Sequence, residues 1–362
     1  MRRPRLLMVG MHLTLTRGGI TTLTADILAS RLSDEYEISY ISSQAEQLGT
    51  VRKLALAAKA LSQFVGKCLT KRFEAAYIHV GSNASLYRES AFIIFGRLFR
   101  LPLIVHFHAG DLTIYLEKQN RLGRAFISKA IGCASKAIAV SYESGRTLQE
   151  LTPKTRVSVV PNAIETSRFL SITRSEAKTS DEKVVRILFV GAIGKLKGER
   201  DLIDALVKLN DPSIRFSILG FGAESLNSLP QFSSIAEQVE QLGPIPMADR
   251  YDHFRRADIF VLPTYAEAMP ISVIESMAAG LPTVTTRVGG IPEIIDDRIE
   301  GLLYDAGDTD QLAECISKLV SNRSLRIGMG RKARERVRKQ MCFDKYIEDL
   351  QTEITGVVEG NV

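Results

Sequence analysis

Two carboxylates, Glu267 and Glu275, bracket a proline in the run 263–280, which reads Pro-Thr-Tyr-Ala-Glu-Ala-Met-Pro-Ile-Ser-Val-Ile-Glu-Ser-Met-Ala-Ala-Gly. The apolar run 259–262 ahead of it predicts a buried strand. Pro270 suits the first position of a helix, and Gly280 followed by Pro282 predicts where that helix stops. Glu267 then lies in the turn leaving the strand, and Glu275 about one turn into the helix. The free backbone N–H groups of such a helix start would meet a phosphate or a sugar oxygen. Acids beside such donors suit a ligand that is both anionic and rich in hydroxyls.

Three other segments carry chemistry at the ends of predicted strands. In the first loop, Gly18 and Gly19 open a helix and would let backbone approach a ligand, although paired glycines also serve as plain turns. Residues 102–111 run off a strand with His106 and His108 on one face. His108, next to the strand exit marked by Gly110 and Asp111, could hydrogen-bond a substrate hydroxyl, whereas His106 reads equally well as a core histidine. The loop 191–198 places Gly191, Gly194, Lys195, Lys197 and Gly198 ahead of a helix, a cationic turn suited to a diphosphate. Its spacing fails the Walker A pattern.

Gly220 and Gly222 follow a further strand and could touch a nucleotide, but Ser225 stands where a dinucleotide fingerprint needs its third glycine. That absence counts against a dinucleotide oxidoreductase. Gly289 and Gly290 precede Pro292 and Glu293 in another loop-to-helix pattern. Asp308 and Asp310 form an acid pair just ahead of a helical pattern, where a capping role explains them better than a metal does.

The elements that must position these residues alternate along the chain. Strands are predicted at 6–10, 37–41, 76–80, 103–107, 137–140 and 158–160. A second series follows at 186–190, 214–219, 259–262, 283–286 and 302–304, with helical spacing between the runs. Alternation of this kind makes an α/β protein with parallel sheets covered on both faces. The polar stretch 171–183 predicts a linker, and 324–357 reads as one long helical pattern.

The 362 residues suit two domains. The net charge of +6 hides a division: residues 1–170 hold 23 Lys/Arg against 12 Asp/Glu, and residues 171–362 hold 24 against 29. A basic first half suggests a phosphate-bearing substrate, an anionic lipid surface or nucleic acid, or else a merely solvated basic surface. The helical pattern 51–72 combines Leu54, Leu61 and Phe64 with Lys53, Lys59 and Lys67, as a membrane-docking helix or an ordinary core helix would. Cys68, Cys133, Cys315 and Cys342 are scattered, as reduced thiols are. The stretch 91–105 is too short and too charged to span a bilayer.

In this order, the motifs resemble the family-4 retaining glycosyltransferases of the GT-B fold, of the bacterial surface-polysaccharide type. The likeness is strongest over 251–306, where Glu267 and Glu275 match the family's paired glutamates. It extends to Gly18-Gly19, to His108 with Asp111, to Asn162 after Pro161, and to Lys197-Gly198. The resemblance implies two doubly wound Rossmann-like domains facing across a cleft: an acceptor domain at 1–170, a donor domain at 184–335, and a helix at 336–362 returning to the first. It implies catalytic roles for His108, Lys197 and Glu267. Substrate contacts would come from Gly18, Gly19, Asn162, Gly191, Lys195, Gly222, Met269, Pro270, Ile271 and Glu275. In those roles Glu275 would accept from ribose hydroxyls, Glu267 would hold the donor sugar, and Lys197 would neutralise the departing diphosphate.

The family commonly has Arg where Ala192 stands, so the charge must come from Lys195, Lys197 or Arg17. It often has Gly where Ala268 stands. The expected reaction moves a sugar from a nucleotide-diphosphate sugar to a hydroxyl of a glycan or lipid-linked glycan in polysaccharide or glycolipid biosynthesis, with no metal and no cofactor. An anionic membrane surface is a further expected partner, nucleic acid is not, and the expected location is cytoplasmic or peripheral to the membrane. The alternatives are a scaffold subunit that has lost catalysis, and an epimerase or phosphorylase of the same fold.

Overall fold

The computed structural model describes residues 3–16, 18–45, 47–70, 72–81, 84–110, 112–169, 172, 184–220, 222–243, 245 and 247–360. Arg17, Asp111 and all of the expected linker 171–183 except residue 172 lie outside them. The chain forms two compact units, one of Met1–Asn162 with Asp344–Val362 and the other of Ala163–Phe343.

In the first unit the order is β1 (Arg5–Met11), α1 (Gly19–Ala29), α2 (Leu32–Glu35), β2 (Glu37–Gln44), α3 (Thr50–Thr70), β3 (Ala75–Val80), α4 (Ala84–Leu98), β4 (Leu103–Phe107), α5 (Leu112–Glu117), α6 (Arg121–Ile131), β5 (Lys136–Ala139), α7 (Tyr142–Leu151) and β6 (Arg156–Val159). The six strands make one parallel sheet in the order β2-β1-β3-β4-β5-β6. Side chains alternate across it. Ala76, Ile78, Val80, Leu103, Val105 and Phe107 enter a core closed by Phe64 of α3, Phe92 of α4, Ile127 of α6 and Leu148 of α7.

The second unit contains β7 (Val185–Val190), α8 (Glu199–Leu209), β8 (Ile214–Leu219), β9 (Val239–Gly243), α9 (Met247–Arg256), β10 (Ile259–Leu262), α10 (Ile271–Ala278), β11 (Thr283–Thr286), α11 (Ile291–Ile294), β12 (Gly301–Tyr304), α12 (Thr309–Ser321) and α13 (Arg323–Gln340). Its sheet is also parallel, ordered β12-β11-β10-β7-β8-β9. Strand β9 has no counterpart in the sequence prediction. It is an edge strand of sequence Val-Glu-Gln-Leu-Gly, too polar for an apolar-run test.

The pattern at 324–357 is two helices, not one. The chain breaks at Met341 and Cys342, where Ile164 N–H donates to the Met341 carbonyl at 3.3 Å and Ile164 pairs with Cys342 as an isolated parallel bridge. Helix α13 stays with the second unit. Helix α14 (Phe343–Val358) belongs from Asp344 onward to the first, so the crossing falls later than residue 336. There Tyr36 and Thr355 share a hydroxyl hydrogen bond of 2.8 Å, and Lys136 pairs with Glu353.

The opposite face of β3 and β4 carries Tyr77, His79 and His106, with His79 and His106 side by side in register and His108 just past the strand end. All four are buried. The Tyr77 hydroxyl and His106 Nδ1 lie 2.5 Å apart, and His79 Nδ1 and His108 Nε2 lie 3.0 Å apart. The His106 and His108 rings overlap at 4.1 Å between centroids. Burial lowers the His79 pKa to about 4. Burial, with the neighbouring imidazoles, holds His106 and His108 well below the ordinary value.

A depressed base favours folding above its unfolded pKa and stops doing so as pH falls toward the folded value. Unfolded histidine takes up its proton near pH 6.5, so each of the three costs up to about 1.4 kcal/mol per pH unit below that. The melting temperature is therefore expected to fall steeply between pH 6.5 and 4. Replacing His79 by Gln should flatten that slope in calorimetry; an unchanged slope would mean the histidines do not govern it.

Candidate active site

In the second unit the chain starts its sheet in the middle at β7 and then builds outward on both sides, β8 on one and β10 on the other. Loops leaving β7 and β10 therefore diverge, and open parallel sheets bind ligands at such switch points. The β7 loop carries Gly191 to Gly198, and the β10 loop carries Glu267. The two are stitched together. Tyr265 N–H donates to the Leu196 carbonyl at 2.8 Å and the Thr264 hydroxyl donates to the same oxygen at 2.9 Å, while within the β7 loop Lys197 N–H donates to the Gly194 carbonyl at 2.7 Å.

Gly198 has φ 67°, and a Cβ there would lie 1.8 Å from the Pro263 carbonyl oxygen. Any side chain would push the loops apart. Lys197 Nζ consequently reaches Glu267 Oε1 and forms an ion pair. Gly289, at φ 57° in the β11 loop, presses on the other side of Glu267, and a Cβ there would meet the Glu267 carbonyl oxygen at 1.5 Å. Gly290 N–H donates to the Ala268 carbonyl at 2.9 Å.

Four residues beyond Glu267, α10 begins. Pro270 is its N-cap and Ile271 its first helical residue, one place later than the sequence pattern predicts. No side chain caps this helix, so the N–H groups of Ile271 and Ser272 stand at its open end. Ala268, Met269 and Pro270 are buried. Glu275, buried within α10, accepts from Arg250 at 2.5 Å. Arg250 was not among the expected site residues. It lies on α9, twenty-five residues earlier, and only the fold brings it to Glu275.

Gly191 N–H donates to Leu219 at 2.9 Å. Gly222 has φ 81° and heads a 3-10 turn, close against the Ile193 carbonyl. Loops after β7, β8, β10 and β11 thus collect Gly191, Lys197, Gly222 and Glu267 at one edge of the sheet. The Lys195 side chain lies outside the described residues, and Ala192 is exposed. An arriving anion would compete with Glu267 for the Lys197 ammonium, while ligand hydroxyls would supply Glu267 with new donors. Asp308 caps α12, accepting from Gln311 N–H at 2.9 Å, and Asp310 pairs with Lys208. Both are helix-start acids.

In the first unit Gly18 and Gly19 begin α1, which also lacks a side-chain cap. Asn162 is buried three residues past β6. A small pocket at the strand ends brings the polar side chains of Ser43, His79, Ser85, Glu89 and His108 together with the apolar Met11, Ile20 and Val80. Glu89 is buried and accepts from Ser43 at 2.8 Å, from Ser85 at 2.9 Å and from Arg88 Nε at 2.9 Å. Burial outweighs those bonds and raises its pKa. Sequence reasoning missed both Glu89, which reads as an ordinary helix acid beside Arg88 and Ser90, and His79, which stands in an apolar run where its alternation with Ile78 and Val80 was the available signal. One nitrogen from each of His79, His106 and His108 lies within 4.8 Å of the others, the one such cluster among the described residues able to hold a cation. The His79–His108 and Tyr77–His106 hydrogen bonds already tie these rings together.

Comparison with known proteins bears on both units. Residues 49–168 match the family described as Glycosyltransferase Family 4, and residues 172–336 match that described as Glycosyl transferases group 1. A D-inositol 3-phosphate glycosyltransferase of Pseudarthrobacter chlorophenolicus is 30% identical over 189 residues, 49% of this chain and 45% of that one. The candidate teichuronic acid biosynthesis glycosyltransferase TuaC of Bacillus subtilis is 30% identical over 250 residues, 66% of this chain and 58% of its own. The chain thus spans about half the length of the curated relatives it matches. The fold superposes on Anabaena HepE, solved in complex with UDP-glucose, with a TM-score of 0.77 at 16% identity, covering 97% of this chain and 99% of that one. Two parallel six-stranded sheets, the paired glutamates and matches over most of the chain agree: the protein belongs to the family-4, group 1 glycosyltransferases of the GT-B fold.

Proposed function

We propose that the protein transfers a glycosyl group from a nucleoside-diphosphate sugar to a hydroxyl of a glycan or lipid-linked glycan, with retention of configuration and without a metal ion. The observation that carries this reading is the Lys197–Glu267 pair, clamped at the switch point between Gly198 and Gly289. HepE with its UDP-glucose, and relatives whose names place them in sugar transfer, support the same assignment.

In the proposed reaction the bond from the anomeric carbon to the diphosphate breaks while the acceptor oxygen bonds to the same face of that carbon. The acceptor proton passes to the leaving phosphate oxygen. Lys197 takes the charge that grows there, and the open N–H groups of α10 share it. Glu267 accepts from hydroxyls of the transferred sugar, and Glu275, paired with Arg250, accepts from the ribose. In the first unit His108, neutral at physiological pH, offers an imidazole to a substrate hydroxyl. Both Ala192 and Ala268 leave these groups in place.

A thermal-shift panel of UDP-, GDP- and ADP-sugars is expected to single out one nucleotide class that raises the melting temperature; stabilisation by none of them overturns the donor site. Lys197→Ala should lower kcat by about 10²–10³-fold, the usual loss on removing one charge-stabilising group. It should leave the melting temperature within about 2 °C, because a partly exposed ion pair contributes little to stability. A variant keeping wild-type kcat would refute the role of Lys197. Release of nucleoside diphosphate should also persist in excess EDTA. Activity abolished by the chelator and restored by magnesium or manganese would replace the metal-free mechanism.

A further inference from the structure

Helices α3, α4 and α6 pack side by side over one face of the first sheet, and their inward residues close its core. Their outward surface is unusual in two respects. The three helices together hold nine Lys/Arg and a single Asp/Glu, which is Glu89. Glu89 is buried and turned inward with Arg88, so the outward charge is wholly positive. Among the described residues none of the other eight cations is in an ion pair.

Large apolar side chains stand among these cations. Leu122 is 82% exposed, Val51 79%, Leu98 72% and Leu54 67%. On α4, Tyr87, Ile94 and Leu98 follow one another at helical spacing, and Tyr87 stacks on Phe126 of α6 at 5.9 Å between ring centroids. Leu122 lies one turn before Phe126 on the same helix. A scattered exposed leucine needs no explanation, but an apolar ridge running across two adjacent helices inside a one-signed field does.

We infer that this α3-α4-α6 surface docks on an anionic lipid bilayer, the cations meeting headgroups and the Leu98–Leu122 ridge entering the boundary of the acyl chains. A nucleic acid would use the charge but gain nothing from exposed leucines, whereas a bilayer interface uses both. No described helix is long and apolar enough to cross a membrane, so the contact would lie in the interface plane. Interfacial docking of this kind is electrostatic first and hydrophobic second, and it is independent of whether the second unit transfers sugar.

The test is cosedimentation of the full chain with vesicles of phosphatidylcholine alone or mixed with phosphatidylglycerol. Binding is expected only to the anionic vesicles at low ionic strength, and to weaken as salt shortens the Debye length. Arg121→Gln with Arg124→Gln should lower partitioning about thirtyfold, from two lost headgroup attractions. Leu98→Ser with Leu122→Ser should lower it as well while leaving the salt dependence intact. Lys345→Gln, on α14 and away from this helix layer, should leave it unchanged. Absence of vesicle binding at low salt, or equal loss with Lys345→Gln, overturns the proposal. Retention of DNA without retention of vesicles overturns it too. The helical circular-dichroism signal of each variant verifies folding, and the wild-type salt series tests the charge argument without any substitution.

Discussion

Close backbone contact that excludes a Cβ sets the distance between Lys197 and Glu267. At Gly198 and Gly289 neighbouring carbonyl oxygens occupy the space a side chain would need, and both backbones take positive φ. The magnitudes decide which way causation runs. A partly exposed ion pair contributes about 0–1 kcal/mol, too little to draw two loops together. The loops hold the pair, through the Leu196 carbonyl, the two glycines and the parallel sheet beneath. A pair held in this way is free to exchange partners without the loops moving.

Glu275 and Arg250 form the opposite kind of pair. Both are largely withdrawn from solvent, and removing one partner of such a pair costs about 3–5 kcal/mol because the other charge is stranded. Glu275 is thereby tied to Arg250 on α9. One site thus has a rigid carboxylate and an exchangeable one, eight residues apart in sequence. That division suits a ligand with one part anchored and another part removed during reaction.

Most of the fold was legible in the sequence because it rests on runs of apolar residues. The buried strands β1, β3, β4, β7 and β10 are predominantly apolar, each broken by at most one charged residue or histidine, and such runs mark parallel strands covered on both faces. What escaped was polar or interrupted: β9 at a sheet edge, and the break at Met341 and Cys342 that only pairing with Ile164 reveals. For the site, the glutamates and loop glycines were legible because their spacing along the chain is itself the geometry. Arg250 and His79 were not, since each acquires its partner through contacts between distant elements, and Glu89 was not, since the fold buries it and brings Ser43 to it. Pro270 shows the limit at finer scale: its fixed φ suits either the cap or the first turn, and the cap was taken.

The charge division along the chain acquires a physical meaning once range is considered. Residues 171–362 carry an excess of acid, which taken as a bulk charge would repel a diphosphate. Salt screens exposed charges beyond about 8–10 Å, so a bound ligand responds to its immediate neighbours. In the proposed donor site those neighbours are Lys197 and the open start of α10, both attractive to phosphate. The basic excess of residues 1–170 is different in kind, because much of it is spread over the outer surface of three helices. A spread of like charge acts collectively only on an extended opposite charge. On the two proposals, local cations would select a small anion in the second unit, and a broad cationic face would select a surface in the first.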